Sequence, residues 1–147
     1  QNVNLLRQAL THTSFRNEHA DVEHDNERHR LAAIWGDFFE SHDLLLCPAA
    51  TTTAFEQNQQ GERHERMITV NGAPQPSTTQ MFWAGLPCNF YLPSTVAPAG
   101  LGRSGLPVGV QIVGPRYHDH RCIHFAQLLE REYRGFVPPP AYRTAGD

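Results

Sequence analysis

The feature that most constrains the fold is an amphipathic helix that leads directly into a short apolar strand. The helix is predicted from Asn26 onward, and its apolar face repeats at the i, i+3, i+4 and i+7 positions, namely Leu31, Ile34, Trp35 and Phe38. Asp43–Cys47 follows at once, and Pro48 ends it. Such a run predicts a strand covered on both faces, as in a parallel or mixed sheet. A helix followed by a buried strand is half of an α/β unit, so the sequence predicts an α/β fold.

The rest of the N-terminal half is more polar. Residues 2–14 carry apolar side chains at helical spacing and predict a short helix. Residues 16–30 are almost wholly polar and predict a solvated loop that runs into an exposed first helical turn. Met67–Val70 is a candidate strand, and Asn71-Gly72 after it is a strong turn signal.

The C-terminal half alternates short helices and strands. A short helix is expected from Thr78, closed by Gly85-Leu86-Pro87. Thr95–Pro98 and Pro107–Val113 flank a glycine-rich turn and predict an antiparallel pair. Asp119 is expected to cap a last helix. The apolar stripe of that helix is Cys122, Ala126, Leu129 and Tyr133.

Length and charge exclude several classes of protein. The chain has 147 residues, which is one domain or a piece of a larger domain, and its first residue is Gln1, so we expect a processed or excerpted polypeptide. A formal net charge of -3 argues against a nucleic-acid binder. No apolar run is long enough for a transmembrane helix, and no signal peptide is visible. All 12 basic residues are arginines, so no lysine-dependent chemistry can arise within this chain.

The cysteines indicate the compartment. Cys47, Cys88 and Cys122 are an odd number without short spacing, and two of them lie in apolar surroundings. They are interpreted as buried free thiols in a reducing compartment, which predicts a cytoplasmic protein.

One segment resembles a known family. Gly105–Pro115 reads GLPVGVQIVGP and is followed by Asp119 and an amphipathic helix, which resembles the C-terminal end of amidase-signature enzymes. Two further features resemble the same family. One is the tripeptide Pro98-Ala99-Gly100, and the other is the order in which Trp35 is followed by Asp43–Pro48. The resemblance is clearest over residues 27–140. It implies that residues 1–147 form a single domain or a fragment of one domain.

The resemblance implies an α/β/α fold with a mixed sheet and hydrolysis of the C–N bond of a linear amide by a Ser–cis-Ser–Lys triad. This chain has no lysine, no Ser-Ser pair and no Gly/Ser-rich segment. Arginine cannot replace the lysine because it is not deprotonated in proteins. Ser104, between Arg103 and Gly105, is interpreted as a turn residue. We therefore expect that this chain contains no catalytic residue and is inactive when isolated. Its expected partner is the missing N-terminal catalytic part of the enzyme, and the alternative is that the chain self-associates.

Five residues are candidates for contact with a small amide substrate in the intact enzyme. Ligands of α/β sheets bind beyond the carboxyl ends of strands, which points to Thr51, Thr52, Thr53 and Phe55. Trp83 on the predicted short helix is the fifth. The alternatives are an ordinary connecting loop for the first four and a core position for Trp83.

The nine histidines suggest a different class of function. His120 and His124 are four residues apart on the last predicted helix, but no third ligand is apparent, so a surface face of histidines is favoured over a metal site. Gly100, Gly102 and Gly105 have the spacing of a nucleotide-binding loop, but a strand follows instead of a helix. No cofactor or metal is expected. The alternative functions are a freestanding binding or assembly module on the same scaffold and a His-rich metal-binding domain.

Overall fold

The computed structural model describes residues 21–142, with side chains from His24 onward, so the helix predicted over residues 2–14 lies outside the described residues. In this part of the chain the helices are α1 (Asp21–Ser41), α2 (Met81–Asn89) and α3 (Asp119–Glu132). The strands are β1 (Leu45–Pro48), β2 (Met67–Val70), β3 (Ala73–Pro76), β4 (Ser94–Leu101) and β5 (Pro107–Val113). Short 3₁₀ turns cover Arg63–Glu65, Ser77–Gln80 and Pro140–Tyr142.

The main sheet has the strand order β1-β5-β4, and both pairings are antiparallel. The predicted antiparallel pair around the glycine-rich turn is confirmed as β4 and β5. The parallel pairs of a mixed sheet are not formed within residues 21–142. In β4 the register shifts between Pro98 and Gly100, so Ala99 forms a bulge.

Helices cover both faces of this sheet. Ile112 and Val113 are adjacent in β5, point to opposite faces, and are both fully buried. On the Val113 face, residues of α1 and α2 such as Trp35 and Leu86 form one core cluster. On the Ile112 face, Cys122 of α3 belongs to a second cluster. The described residues therefore form a three-layer α/β/α arrangement.

β1 is an edge strand of the described sheet, so the prediction that both its faces are covered was wrong. Cys47 is 8% exposed and packs in the first cluster, whereas Leu46 is 49% exposed on the opposite face. The apolar run does not alternate, so the sequence alone could not show which face lacks a cover.

Helix α1 begins at Asp21, so part of the predicted polar loop is helical. A polar helical turn is stable when its side chains pair along the surface, as Arg30 does with Glu27 at 2.7 Å. The predicted apolar face is confirmed at Leu31 and Trp35, which are buried. Gly36 on this helix is not a site of close packing, because no atom outside the helix backbone lies within 4 Å of the position that a Cβ would occupy there.

Helix α2 does not end at Gly85-Leu86-Pro87 as predicted, but continues through Pro87 to Asn89. A proline within a helix cannot donate to the carbonyl four residues earlier, which here belongs to Trp83. Gln111 of β5 supplies the missing donor, since its Nε2 lies 2.9 Å from the Trp83 oxygen. A bond from a neighbouring strand therefore lets the helix pass through proline.

Strands β2 and β3 form a hairpin, in which β2 is the predicted candidate strand and β3 is a strand that the sequence did not predict. They pair antiparallel around Asn71 and Gly72, whose φ angles of 53° and 81° are those of a primed hairpin turn.

In α3 the predicted cap was wrong, because the helix is preceded by His118 without a side-chain cap, and Asp119 is its first residue. A carboxylate in the first turn still interacts favourably with the helix dipole. Cys122 is buried as predicted, but Tyr133 is 72% exposed because it follows the end of the helix. Gly114 allows the close packing of Cys122, since a Cβ at Gly114 would lie 2.6 Å from its Sγ.

Candidate functional site

The three predicted threonines lie in the loop that leaves the carboxyl end of β1. Thr51, Thr52 and Thr53 are all half-buried. Thr51 and Thr52 contact the 3₁₀ turn Ser77–Gln80 that precedes α2, and Thr53 contacts the turn between β4 and β5. The loop is thus held between two elements that are distant from it in sequence.

Gln80 holds this loop by both ends of its side-chain amide. Its Oε1 accepts hydrogen bonds from the backbone N–H groups of Thr51 at 3.1 Å and Thr52 at 3.4 Å. Its Nε2 donates to the Thr52 hydroxyl at 2.9 Å. The Thr51 hydroxyl donates to the Thr79 carbonyl at 2.9 Å. Gln80 was not predicted as a site residue, because a glutamine next to a Ser/Thr-rich segment gives no signal of its own in the sequence.

Thr53 meets the glycine-rich turn through its methyl group. A Cβ at Gly102 would lie only 3.0 Å from Thr53 Cγ2, so glycine permits this contact. The Gly102 N–H donates to the Leu106 carbonyl at 2.8 Å and the Gly105 N–H to the Gly102 carbonyl at 2.9 Å, which closes the turn. Ser104 lies in that turn, as predicted. Strand β5 follows these glycines, in keeping with rejection of the nucleotide-binding interpretation.

The two aromatic candidates differ in environment. Phe55 is 53% exposed and lies beyond the threonines in the loop. Trp83 is half-buried, packs against the first core cluster, and its ring meets that of Phe82 edge to face at a centroid distance of 5.0 Å. One part of Trp83 therefore packs on the core, as the alternative interpretation expects, while the rest of its surface stays exposed.

Gln111 and Cys47 lie beneath α2, where the sheet meets the helix. Gln111 is only 4% exposed, and its Nε2 also approaches Cys47 Sγ at 3.4 Å. Burial raises the pKa of the Cys47 thiol, and the hydrogen bond from Gln111 opposes this shift. Burial also raises the pKa of the Cys122 thiol, with a further contribution from the nearby Asp119 carboxylate. All three cysteines are free, and Cys88 is exposed.

A separate open cleft of about 440 Å³ lies between α1 and the segment that joins β5 to α3. Its charged lining includes Glu40, Arg116 and Arg121, but none of the five candidate residues. Arg121 pairs with Asp43 at 3.3 Å. Its lining among the described residues contains no serine, threonine, cysteine or lysine, so the cleft offers no hydroxyl, thiol or amine nucleophile.

The histidines whose side chains the structure describes are not gathered into a metal site. Within the part of the chain whose side chains are described, no three or more His, Cys, Asp or Glu side chains are grouped so that they could hold a metal ion. Cys122, near His120 and His124 in sequence, is buried in the second core cluster. Over the same described residues, no helix is long and apolar enough to cross a membrane.

Comparison with known proteins identifies the family of the chain. A profile of the Amidase family matches residues 2–123, which is most of the chain. The chain belongs to the amidase family. The resemblance seen in the sequence is thereby confirmed. One relative is a component of the chloroplastic/mitochondrial glutamyl-tRNA(Gln) amidotransferase of Arabidopsis thaliana. The two are 32% identical over 105 residues, which is 68% of this chain and 18% of that protein.

Other amidase relatives match shorter or more divergent parts. Human fatty-acid amide hydrolase 2 is 44% identical over 48 residues, which is 33% of this chain and 9% of the hydrolase. Among solved structures, a chain from a vestigial protein complex that bears on the origins of an s-triazine catabolic enzyme superposes with a TM-score of 0.61. It is 23% identical and covers 78% of this chain and 24% of its own length, which confirms the α/β fold. The chain thus spans about a fifth of these full-length relatives.

Proposed function

We propose that this chain is the C-terminal portion of an amidase that hydrolyses the C–N bond of a linear amide. In this proposal the Ser–cis-Ser–Lys residues come from an N-terminal part of the enzyme, and no residue of this chain takes part in bond cleavage. The observation that carries the proposal is a match to the amidase family over residues 2–123 in a chain without any lysine or Ser-Ser pair.

The chain would contribute the wall of the substrate site. The Thr51–Thr53 loop leaves the carboxyl end of β1, where α/β enzymes bind ligands. Hydroxyl groups at such a position can hydrogen-bond to the carbonyl or N–H of an amide, and Phe55 and Trp83 offer apolar surface to its substituents. The three free cysteines support a reducing compartment such as the cytoplasm.

The test is to compare the isolated chain with the full-length product of its upstream reading frame. We expect the full-length protein to hydrolyse simple linear amides and the isolated chain to be inactive. Substituting alanine for the upstream lysine should abolish turnover, since the serine nucleophile then lacks its base.

Two outcomes would overturn the proposal. One is turnover by the pure 147-residue chain that is lost when one of its own five serines is changed. The other is an upstream frame that encodes neither a lysine nor a Ser-Ser segment, which would favour a freestanding binding or assembly module.

A further inference from the structure

We infer that Gln80 is a positioning residue that fixes the loop after β1 so that the Thr53 hydroxyl faces the substrate. This inference rests on the proposed function, and it divides the three threonines into two that brace the loop and one that binds. The observation behind it is that Gln80 and Gly102 both contact the loop Thr51–Thr53.

Gln80 engages the loop backbone as well as a side chain. Its carbonyl oxygen accepts two consecutive N–H groups, from Thr51 and Thr52, and its amide nitrogen donates to the Thr52 hydroxyl. The side chain therefore fixes both the position and the rotation of this two-residue segment. A side-chain carbonyl with two acceptor sites is suited to this arrangement, whereas a shorter asparagine would not span the gap.

The hydroxyl groups of Thr51 and Thr52 are both used within the loop. Thr51 donates to the Thr79 carbonyl at 2.9 Å, and Thr52 donates to the Thr53 carbonyl at 2.8 Å while accepting from Gln80. Neither hydroxyl has a proton left for a substrate carbonyl, because each carries one.

Thr53 differs from its two neighbours. Its methyl group lies close to Gly102, where a Cβ would come within 3.0 Å of Thr53 Cγ2. Within residues 24–142 its backbone carbonyl accepts from Thr52, but its hydroxyl has no protein partner, so this donor is free to bind water or a ligand. The Gln80 brace and the Gly102 contact thus act on opposite ends of the same tripeptide.

The first experiment measures backbone hydrogen exchange in the full-length protein. With Gln80→Ala we expect the Thr51 and Thr52 amides to exchange about ten-fold faster or more, since their acceptor is lost. Gln80→Glu, which keeps an acceptor oxygen at the same reach, should largely restore the protection, and Gln80→Asn should not. Gln127→Ala, at an exposed glutamine of α3, is the matched control. Unchanged exchange at Thr51 and Thr52 in Gln80→Ala, or an equal rise throughout the protein, would overturn the positioning role.

The second experiment measures amide hydrolysis by the same full-length protein. Thr53→Val keeps the shape and the methyl contact but removes the hydroxyl, so we expect KM to rise about ten-fold with kcat within about two-fold. Gln80→Ala should also raise KM, and Gln80→Glu should restore it. Thr69→Val, at an exposed position of β2, is the control.

The two possible failures are distinguishable. If wild-type full-length protein hydrolyses amides but Thr53→Val has the wild-type KM, the assignment of Thr53 is wrong and the proposed function stands. If the wild-type protein hydrolyses no amide, the proposed function and the Thr53 assignment both fail, and hydrogen exchange still decides the role of Gln80.

Discussion

At the scale of single residues, Gln111 and Pro87 form a compensating pair. Pro87 removes an N–H from the last turn of α2, and the Gln111 amide donates to the carbonyl that this leaves open, that of Trp83. A buried carbonyl without a donor costs about 1–3 kcal/mol. The glutamine therefore lets an apolar helix that contains proline pack on the sheet.

We expect Gln111→Leu to lower the free energy of unfolding by about 1–3 kcal/mol, because the Trp83 carbonyl loses its donor. Pro87→Ala returns a backbone N–H four residues after Trp83, so the loss caused by Gln111→Leu should be smaller in the Pro87→Ala background. Urea unfolding of the four proteins in this double-mutant cycle measures the coupling, and additive effects would contradict it.

The buried thiols predict a loss of stability at alkaline pH. Because burial raises the pKa of Cys122 above its ordinary value of 9.0, the folded chain holds this proton at pH values where the unfolded chain releases it. The corresponding stability is fully present below about pH 8.5, and it is lost as the pH rises from there through the folded pKa.

We therefore expect the free energy of unfolding to fall between pH 7.5 and about 9.5, and to fall less in Cys122→Ala. Cys88→Ala should keep the full wild-type decrease, because Cys88 is exposed. Urea titrations of the three proteins at both pH values provide the measurement. A decrease in Cys122→Ala as large as in the wild type would rule out this thiol as its cause.

At the scale of elements, the successes and errors of sequence-based prediction have separate causes. The β4–β5 pair, strand β2 and the turn after it were predicted because alternation and an Asn-Gly turn are local signals. Strand β3 was not predicted, because its sequence Ala73–Pro76 contains two prolines. The residue at which α2 ends was not predictable, because the hydrogen-bond donor that lets the helix continue through Pro87 belongs to β5, which is remote in sequence. Thr51–Thr53 were located from strand position alone, but Gln80 is defined only by tertiary contact.

Strand β1 offers a direct test of which face is buried. Leu45 packs against the first core cluster, whereas its neighbour Leu46 is 49% exposed. Leu45 is half-buried, and Leu45→Asp should destabilise the domain strongly, since an unpaired carboxylate held against an apolar cluster loses part of its hydration. Leu46→Asp is the matched control and should remain cooperatively folded. Circular dichroism with thermal unfolding distinguishes the two, and a stably folded Leu45→Asp protein would show that the assigned face is wrong.

At the scale of the whole molecule, the described residues bury little apolar surface. Among residues 24–142, eleven hydrophobic residues and one polar residue are buried. In the sheet, Cys47 of β1 and Ile112 and Val113 of β5 are buried. The exposed apolar side chains of the sheet are instead Leu46, Val96, Leu101 and Val108.

These exposed side chains predict that the isolated chain associates. Unpaired strand edges and apolar patches recruit other chains. We expect sedimentation velocity of the pure chain to show a species whose mass rises with concentration above 16.6 kDa. Addition of the N-terminal part of the enzyme should replace that species with a complex of defined stoichiometry. A concentration-independent monomer that binds no amphipathic dye would contradict this prediction.

The bulge at Ala99 has a consequence for how β4 can change in length during evolution. Removing one residue from a regular strand turns every later side chain to the opposite face. Ala99 is the extra residue of β4, because Pro98 pairs with Gly109 and Gly100 with Val108. Deletion of Ala99 would therefore leave a regular ladder in which Leu101 and the turn after it keep their orientation. Deletion of Val96 would instead turn Leu101 and the following turn to the opposite face of the sheet. A natural deletion in β4 is therefore tolerable at the bulge but not upstream of it.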